Sequence, residues 1–296
     1  MAMNTRLYSL LWLLGTTLVF FAGCKTSEGT AVNTDNSLLW KIEGKALKQP
    51  SYLLGTIHIL PQKDFFLSDA MKQALASSQQ VVLELDMDDP NMSMEMFKYA
   101  SMNEGSALDK LLSPADYAKL DSLVKKATGV GVGMFNKWQP MLVASVVMQQ
   151  MLDNQPASYE LTLVKLAKEG QKEVLGLETI KEQIDAMATI PLPQQAQYLS
   201  EMLNDFDQQK ALFGKMVDLY KAQKIEELLA YIIEESGGID FSTVLLNQRN
   251  QNWIPKIGEI AAGKPTFFAV GAGHLAGKDG VLALLRKAGY RVTAVL

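Results

Sequence analysis

The sequence predicts an α/β domain of mixed α+β character, in which strands from both ends of the chain form one sheet around a large helical insertion. Three observations predict it. Apolar runs of strand length gather near the start and near the end of the 296 residues. Residues 52–87 read strand, helix, strand, the order that builds a parallel sheet. From Pro90 to about Asn204 the pattern is mostly helical instead.

The elements follow in order. Leu38-Leu-Trp-Lys-Ile-Glu43 and Tyr52 to Ile57 read as two strands of a hairpin, joined across Gly44, Lys45 and Pro50. Ser68 is a good N-cap for a helix running to about Ala76, with Met71 and Leu75 on its apolar face. Val81-Val-Leu-Glu-Leu-Asp-Met87 follows as a strand and a parallel neighbour of the second hairpin strand. Its alternation puts Glu84 and Asp86 on one face, and carboxylates in so apolar a strand need a partner. Ser113-Pro114 starts a helix in the insertion. Met134 to Met151 is a second candidate, interrupted at Pro140, and Ser158 to Ala167 a third. Lys172-Glu-Val-Leu-Gly-Leu-Glu178 reads as a strand ending in a carboxylate, with Thr179 capping the next helix. Gln194 to Glu235 suits two or three amphipathic helices, and Asp240 to Ala262 is helical again. Pro265 to Val270 is a strand, a helix runs to Ala288, and Tyr290 to Val295 closes the sheet.

The first residues have a different character. Arg6 precedes a nearly uncharged apolar run, Leu7 to Phe21, which breaks at Ala22-Gly23 before Cys24. This resembles a bacterial lipoprotein signal over residues 1–23, with Cys24 as the thiol that carries the lipid. Phe21 departs from the usual Leu of such signals. Residues 24–37 are polar and read as a tether to a single domain at 38–296. The expected location is the cell envelope, with the chain lipid-anchored on the outer membrane rather than the inner. Cys24 is the one cysteine, so no intrachain disulfide and no cysteine nucleophile is available. The net charge is −4 with no long basic run, which argues against nucleic acid as a partner.

The chemistry gathers at two matching stretches. Ser51-Tyr-Leu-Leu-Gly-Thr-Ile-His58 and Thr266-Phe-Phe-Ala-Val-Gly-Ala-Gly-His274 are apolar runs that both end in Gly-x-x-His, Gly55 to His58 and Gly271 to His274. These are the chain's two histidines. At an ordinary glycine frequency of about 7%, both having Gly three residues ahead arises by chance roughly once in two hundred. One reading is a divalent-metal site, with both imidazoles and one or two of Glu84, Glu178 and Asp86, suited to Mn, Co, Fe or Zn. The glycines would let the backbone turn sharply before each histidine. A second reading is metal-free acid/base catalysis, with one histidine oriented by Glu178 or Glu84. A third takes Gly271, Gly273 and Gly277 as a phosphate-binding loop, but the spacing misses G-x-G-x-x-G by one residue. The plainest alternative is two histidines that cap strands.

These residues resemble the TraB/PrgY/GumN family, which includes the Tiki proteins. The resemblance rests on Tyr52 to His58, Val81 to Asp86, Leu175-Gly-Leu-Glu-Thr179 with Gln183, Arg249-Asn250 with Trp253, and Val270 to Gly277 with Gly280 and Gly289-Tyr290. It implies a central mixed sheet flanked by helices, similar to the erythromycin-esterase and haem-binding ChaN-like proteins, with the site at strand ends. Tiki members are regarded as metal-dependent proteases. Carried over, the resemblance implies a metal at His58, His274 and Glu84, with Glu178 and Arg249 as further catalytic groups. Gly55, Asp86, Asn250, Gly271 and Gly273 would line the site. The expected activity is hydrolysis of a peptide or other small substrate outside the cytoplasm, with Glu178 or Asp86 taking a proton and Arg249 stabilising the oxyanion. The rival is an envelope binding lipoprotein for a peptide, a sugar or a haem-like ligand.

Overall fold

The predicted hairpin anchors the sheet. In the computed structural model, which describes residues 36–45, 47–152, 156–236, 240 and 242–296, β1 (Leu39–Glu43) and β2 (Ser51–Thr56) pair antiparallel. The expected signal segment, Cys24 and all of the tether before Asn36 lie outside the described residues. Asp35–Leu296 forms one unit. After a two-residue strand, β3 (Leu60–Pro61), comes α1 (Asp69–Ser77), where Ser68 Oγ accepts the Met71 N–H as a cap should. Strand β4 (Gln80–Leu83) follows and stops just before Glu84.

The insertion is helical, as predicted. It holds α2 (Met92–Tyr99), α3 (Leu108–Leu111), α4 (Pro114–Thr128) and α5 (Pro140–Gln149). Ser113 caps α4 through the Asp116 N–H, and Gly129 ends it at φ 80°. Pro140 does not interrupt a helix but starts one, because the first helical position has no use for a backbone N–H. A short strand β5 (Pro156–Ala157) pairs antiparallel with β3. Helix α6 (Tyr159–Glu169) then leads back to the sheet at β6 (Glu173–Gly176). Helix α7 (Ile180–Ala188) opens on a full capping box between Thr179 and Glu182. Three further helices follow, α8 (Leu192–Asn204), α9 (Phe206–Lys221) and α10 (Ile225–Glu234). A π-helical turn, Ser242–Asn247, feeds α11 (Gln248–Gly263). The chain closes with β7 (Thr266–Gly271), α12 (Val281–Lys287) and β8 (Arg291–Ala294). Among the described residues no helix is long and apolar enough to cross a membrane.

The six-stranded sheet runs in the order β6-β4-β7-β2-β1-β8. Strands β6, β4, β7 and β2 are parallel, while β1 is antiparallel to both its neighbours, so the sheet is mixed as expected. One expectation is corrected. Strand β4 is not the neighbour of β2, because β7 lies between them and pairs with both. A right-handed crossover fixes the hand of a connection, not the number of strand positions it skips, and a late strand can fill the gap. Strand β7 is covered on both faces, with Phe267 and Phe268 fully buried, which is how parallel strands read as unbroken apolar runs.

Candidate functional site

Parallel strands deliver their carboxyl ends to one edge, and the predicted histidines and glutamates each follow such an end. Register makes this concrete. Thr56 of β2 lies opposite Gly271 of β7, and Leu83 of β4 opposite Gly176 of β6. The pairing continues past the strands: Leu177 N–H donates to Leu83 O at 2.8 Å and Glu178 N–H to Glu84 O at 2.9 Å. Glu84 and Glu178 therefore leave adjacent strands side by side. Helix α11 brings Arg249, Asn250 and Trp253 to the same place through its first turns.

Arg249 is the hub. Its Nη2 donates to Glu84 Oε2 and to Glu178 Oε1, both at 2.6 Å, and its Nε donates to both Glu178 oxygens at 3.1 Å. Its Nη1 donates to Leu245 O at 2.9 Å and to His274 Nε2 at 3.2 Å. All five guanidinium N–H groups are thereby used. Trp253 supports the assembly from one side, with its ring 4.9 Å from the guanidinium carbon and 4.5 Å from the His274 ring.

Glu84 is 7% exposed and ionised. Burial would raise its pKa, but the Arg249 charge and the Gly271 N–H, which donates to Oε1 at 2.7 Å, hold it far below the carboxylate range. Glu178 also accepts from Gln183 Nε2 and Trp253 Nε1, each at 3.1 Å. Its lone pairs are committed to holding Arg249.

His274 is neutral and its tautomer is fixed. Asn250 Nδ2 donates to His274 O and Asp279 O, which leaves Asn250 Oδ1 as the acceptor facing His274 Nδ1 at 2.6 Å. Nδ1 therefore carries the proton and Nε2 presents a lone pair. Burial first, then the Arg249 charge, pulls the pKa down to about 3 against the pull of Glu84. His274 Nε2 lies 3.8 Å from Glu84 Oε1.

His58 sits apart from this buried group. Its side chain is 68% exposed, and its Nδ1 meets Glu160 Oε1 at 3.1 Å. Desolvation would lower its pKa, but the Glu160 hydrogen bond and the Glu84 charge outweigh it and raise the pKa to about 9. Asp86 is not drawn in at all. Its carboxylate accepts the Asp88 N–H at 3.4 Å, and burial and the neighbouring acids raise its pKa.

Glu160 is the group that sequence reasoning missed. An acid in the first turn of a helix is ordinary company for the helix dipole, so position alone gave no signal. The role expected of the glycines also changes. Neither Gly55 nor Gly271 has a positive φ. Gly55 is required by close approach, since a Cβ there would lie 2.6 Å from Leu275 Cδ1 and 3.2 Å from Ala272 Cα. At Gly273 the nearest atom would be Ile232 Cδ1 at 3.4 Å. Gly55→Ala is expected to cost about 1–3 kcal/mol in urea unfolding, whereas Gly273→Ala should shift the midpoint far less.

The donor types and orientations suit a divalent ion. Each histidine commits Nδ1 to a protein acceptor, the arrangement that commonly backs metal-binding imidazoles, which leaves Nε2 as the ligand-facing nitrogen, met in His274 by Arg249 Nη1 at 3.2 Å. The 3.8 Å between His274 Nε2 and Glu84 Oε1 is within the span of two bonds of about 2.1 Å each. Among the described residues no three His, Cys, Asp or Glu side chains are gathered closely enough to hold an ion as they stand. The cation that Glu84 and His274 contact is Arg249.

Fold and site together define an α/β protein with a buried polar centre at the carboxyl ends of its parallel strands. The sequence profile of the TraB/PrgY/gumN family matches residues 38–294, and the chain belongs to that family. It is 23% identical to "Metalloprotease TIKI1" of Danio rerio over 92% of this chain and 65% of the relative. It is 23% identical to "Metalloprotease TIKI homolog" of Amphimedon queenslandica over 88% of this chain and 61% of the relative. Against "Metalloprotease TIKI1" of Homo sapiens the identity is 24%, over 87% and 61%. The chain thus spans less than two thirds of the length of these curated relatives. No solved structure gave a significant match.

Proposed function

We propose that this chain is a divalent-metal-dependent hydrolase of peptide bonds, acting outside the cytoplasm and tethered through lipid on Cys24. The observation that carries the reading is that both histidines spend Nδ1 on a protein acceptor and leave Nε2 as the nitrogen for a ligand, that of His274 3.8 Å from an ionised carboxylate and held meanwhile by Arg249 Nη1. The metalloprotease names of the relatives support it at the level of the family. His58, His274 and Glu84 would hold the ion, with Mn, Co or Zn the ions their nitrogen and oxygen donors suit. When bound, such an ion supplies an acidified water and polarises the substrate carbonyl.

The chain's own groups set the stage for that chemistry. Asn250 holds the proton of His274 at Nδ1 and so keeps the lone pair on Nε2, which accepts from Arg249 and lies 3.8 Å from Glu84 Oε1. Glu178, Gln183 and Trp253 fix Arg249, which in turn fixes Glu84. We assign Glu178 to positioning rather than to taking the proton, because its oxygens are already engaged. Arg249 gives up its bond to His274 Nε2 when that nitrogen serves a ligand, and its bonds to Glu178 keep it beside the site.

The test is metal binding by the purified chain. After chelation and dialysis the wild type is expected to bind one of Mn, Co or Zn in titration calorimetry and to cleave peptides only with it. His58→Ala and His274→Ala should each lose binding with far-UV circular dichroism unchanged. A wild type that binds none of these ions, or folded variants that bind as well as it does, would overturn the reading.

A further inference from the structure

We propose that Glu160 is a positioning residue for the site, the carboxylate that holds the His58 proton on Nδ1 and so makes Nε2 the nitrogen offered to a ligand. This rests on the hydrolase reading above for its purpose, but the juxtaposition stands by itself. Glu160 lies 102 residues from His58 in the chain, yet its Oε1 meets His58 Nδ1 at 3.1 Å and accepts Thr56 Oγ at 2.8 Å. Its Oε2 accepts Ser158 Oγ at 3.0 Å. One carboxylate therefore binds the last residue of β2, the histidine two residues on, and the cap of its own helix.

The local architecture holds that meeting in register. The ribbon of β3 and β5 pairs Leu60 with Ala157 and Pro61 with Pro156. Leu60 follows His58 by two residues and Ala157 precedes Glu160 by three, so the ribbon clamps the two side chains together from just beyond. Tyr159, fully buried, pins the start of α6 through its hydroxyl to Phe66 O at 2.8 Å. A first-turn acid serving only the helix dipole would gain nothing from a strand-end threonine and a histidine. Glu160 is 15% exposed while the His58 side chain is 68% exposed, so the fixed partner is the acid and the oriented one is the imidazole. His274 has the same device in Asn250, which leaves both Nδ1 atoms turned to the protein.

The chain's two histidines make the test simple to read. The full chain, labelled with nitrogen-15 histidine and free of metal, is compared by long-range proton–nitrogen NMR above the His58 titration, with His58→Ala assigning the signals. Wild-type His58 is expected to show a protonated Nδ1, and Glu160→Ala a mixture of tautomers. Zinc affinity by calorimetry should fall about 10–100-fold in Glu160→Ala. Glu160→Gln, which can still accept from Nδ1, should keep the tautomer and recover most of the affinity, a rescue that a purely structural role does not predict. Should Glu160→Ala fail to fold, Thr56→Val removes one anchor of the carboxylate and should shift the tautomer ratio in the same direction. A folded Glu160→Ala, or failing that Thr56→Val, with the wild-type tautomer overturns the proposal. A wild type that binds no zinc overturns the hydrolase reading instead, and the tautomer still decides the role of Glu160.

Discussion

Arg249→Met is expected to destabilise the chain by about 3–5 kcal/mol, the largest effect of any single substitution at the site. The reason is what the change leaves behind. Glu84 and Glu178 side chains are 9% and 4% exposed, and Arg249 is the cation that ion-pairs with both. Without it, two buried carboxylates at adjacent strand ends lose their shared counter-charge, and the Nε2 lone pair of His274 loses its donor. Burying an unpaired charge costs several times what a paired one contributes. Urea unfolding of the single variant, beside a triple variant that adds Glu84→Gln and Glu178→Gln, checks the account. The triple variant should recover part of the loss, because neutral amides need no counter-charge. A single variant as stable as wild type would show that Arg249 does not hold the carboxylates.

Metal-free chain should be most stable near pH 6.5 and lose stability on both sides, each limb owed to one histidine. On the acid side, an unfolded histidine binds its proton near pH 6.5, whereas folded His274 stays neutral down to about 3. Between these values the unfolded state holds more protons, so stability falls as the pH falls. At about 1.4 kcal/mol per unit the full limb is on the order of 5 kcal/mol. Glu84, with its pKa depressed, adds to the loss below about pH 4.5. On the alkaline side the sign reverses. Folded His58 keeps its proton up to about 9, so the stability from its Glu160 pairing is present below 6.5 and lost as the pH rises through 9. That limb is shallow, since His58 is solvent-exposed. Urea unfolding at intervals of one pH unit, with chelator present, should show His274→Gln flattening the acid limb and His58→Ala the alkaline one. A profile unchanged by either substitution would refute the assignment.

Much of this was written in the sequence because it depends on local chemistry. The hairpin, the Ser and Thr caps and the strand-end histidines and carboxylates follow from patterns within about ten residues, such as Ser68 ahead of α1 or Thr179 with Glu182 ahead of α7. What was hidden depends on residues far apart. Nothing around Val81 or Tyr52 shows that β7, nearly two hundred residues later, separates them. Glu160 gave no signal in the sequence because its partners Thr56 and His58 arrive through a ribbon of only two paired residues. Asp86 failed in the opposite way. Strand alternation put it on the face of Glu84, but β4 ends at Leu83, and past a strand end the period of two no longer holds.

The central place of β7 has a consequence for how the molecule comes into being. Strands β2 and β4 touch each other only through it. A chain that stops before Thr266 therefore has its sheet in two pieces, β6 with β4 and β2 with β1, each exposing an unpaired parallel edge. Strand β7 must therefore enter between β4 and β2, strands that precede it by about two hundred residues, a step of high sequence separation and slow loop closure. Gly55 and Ala272 meet only at that step, as do His274 and Glu84. The candidate site is thus completed only when β7 is in place, and a chain clipped before Thr266 carries half of it.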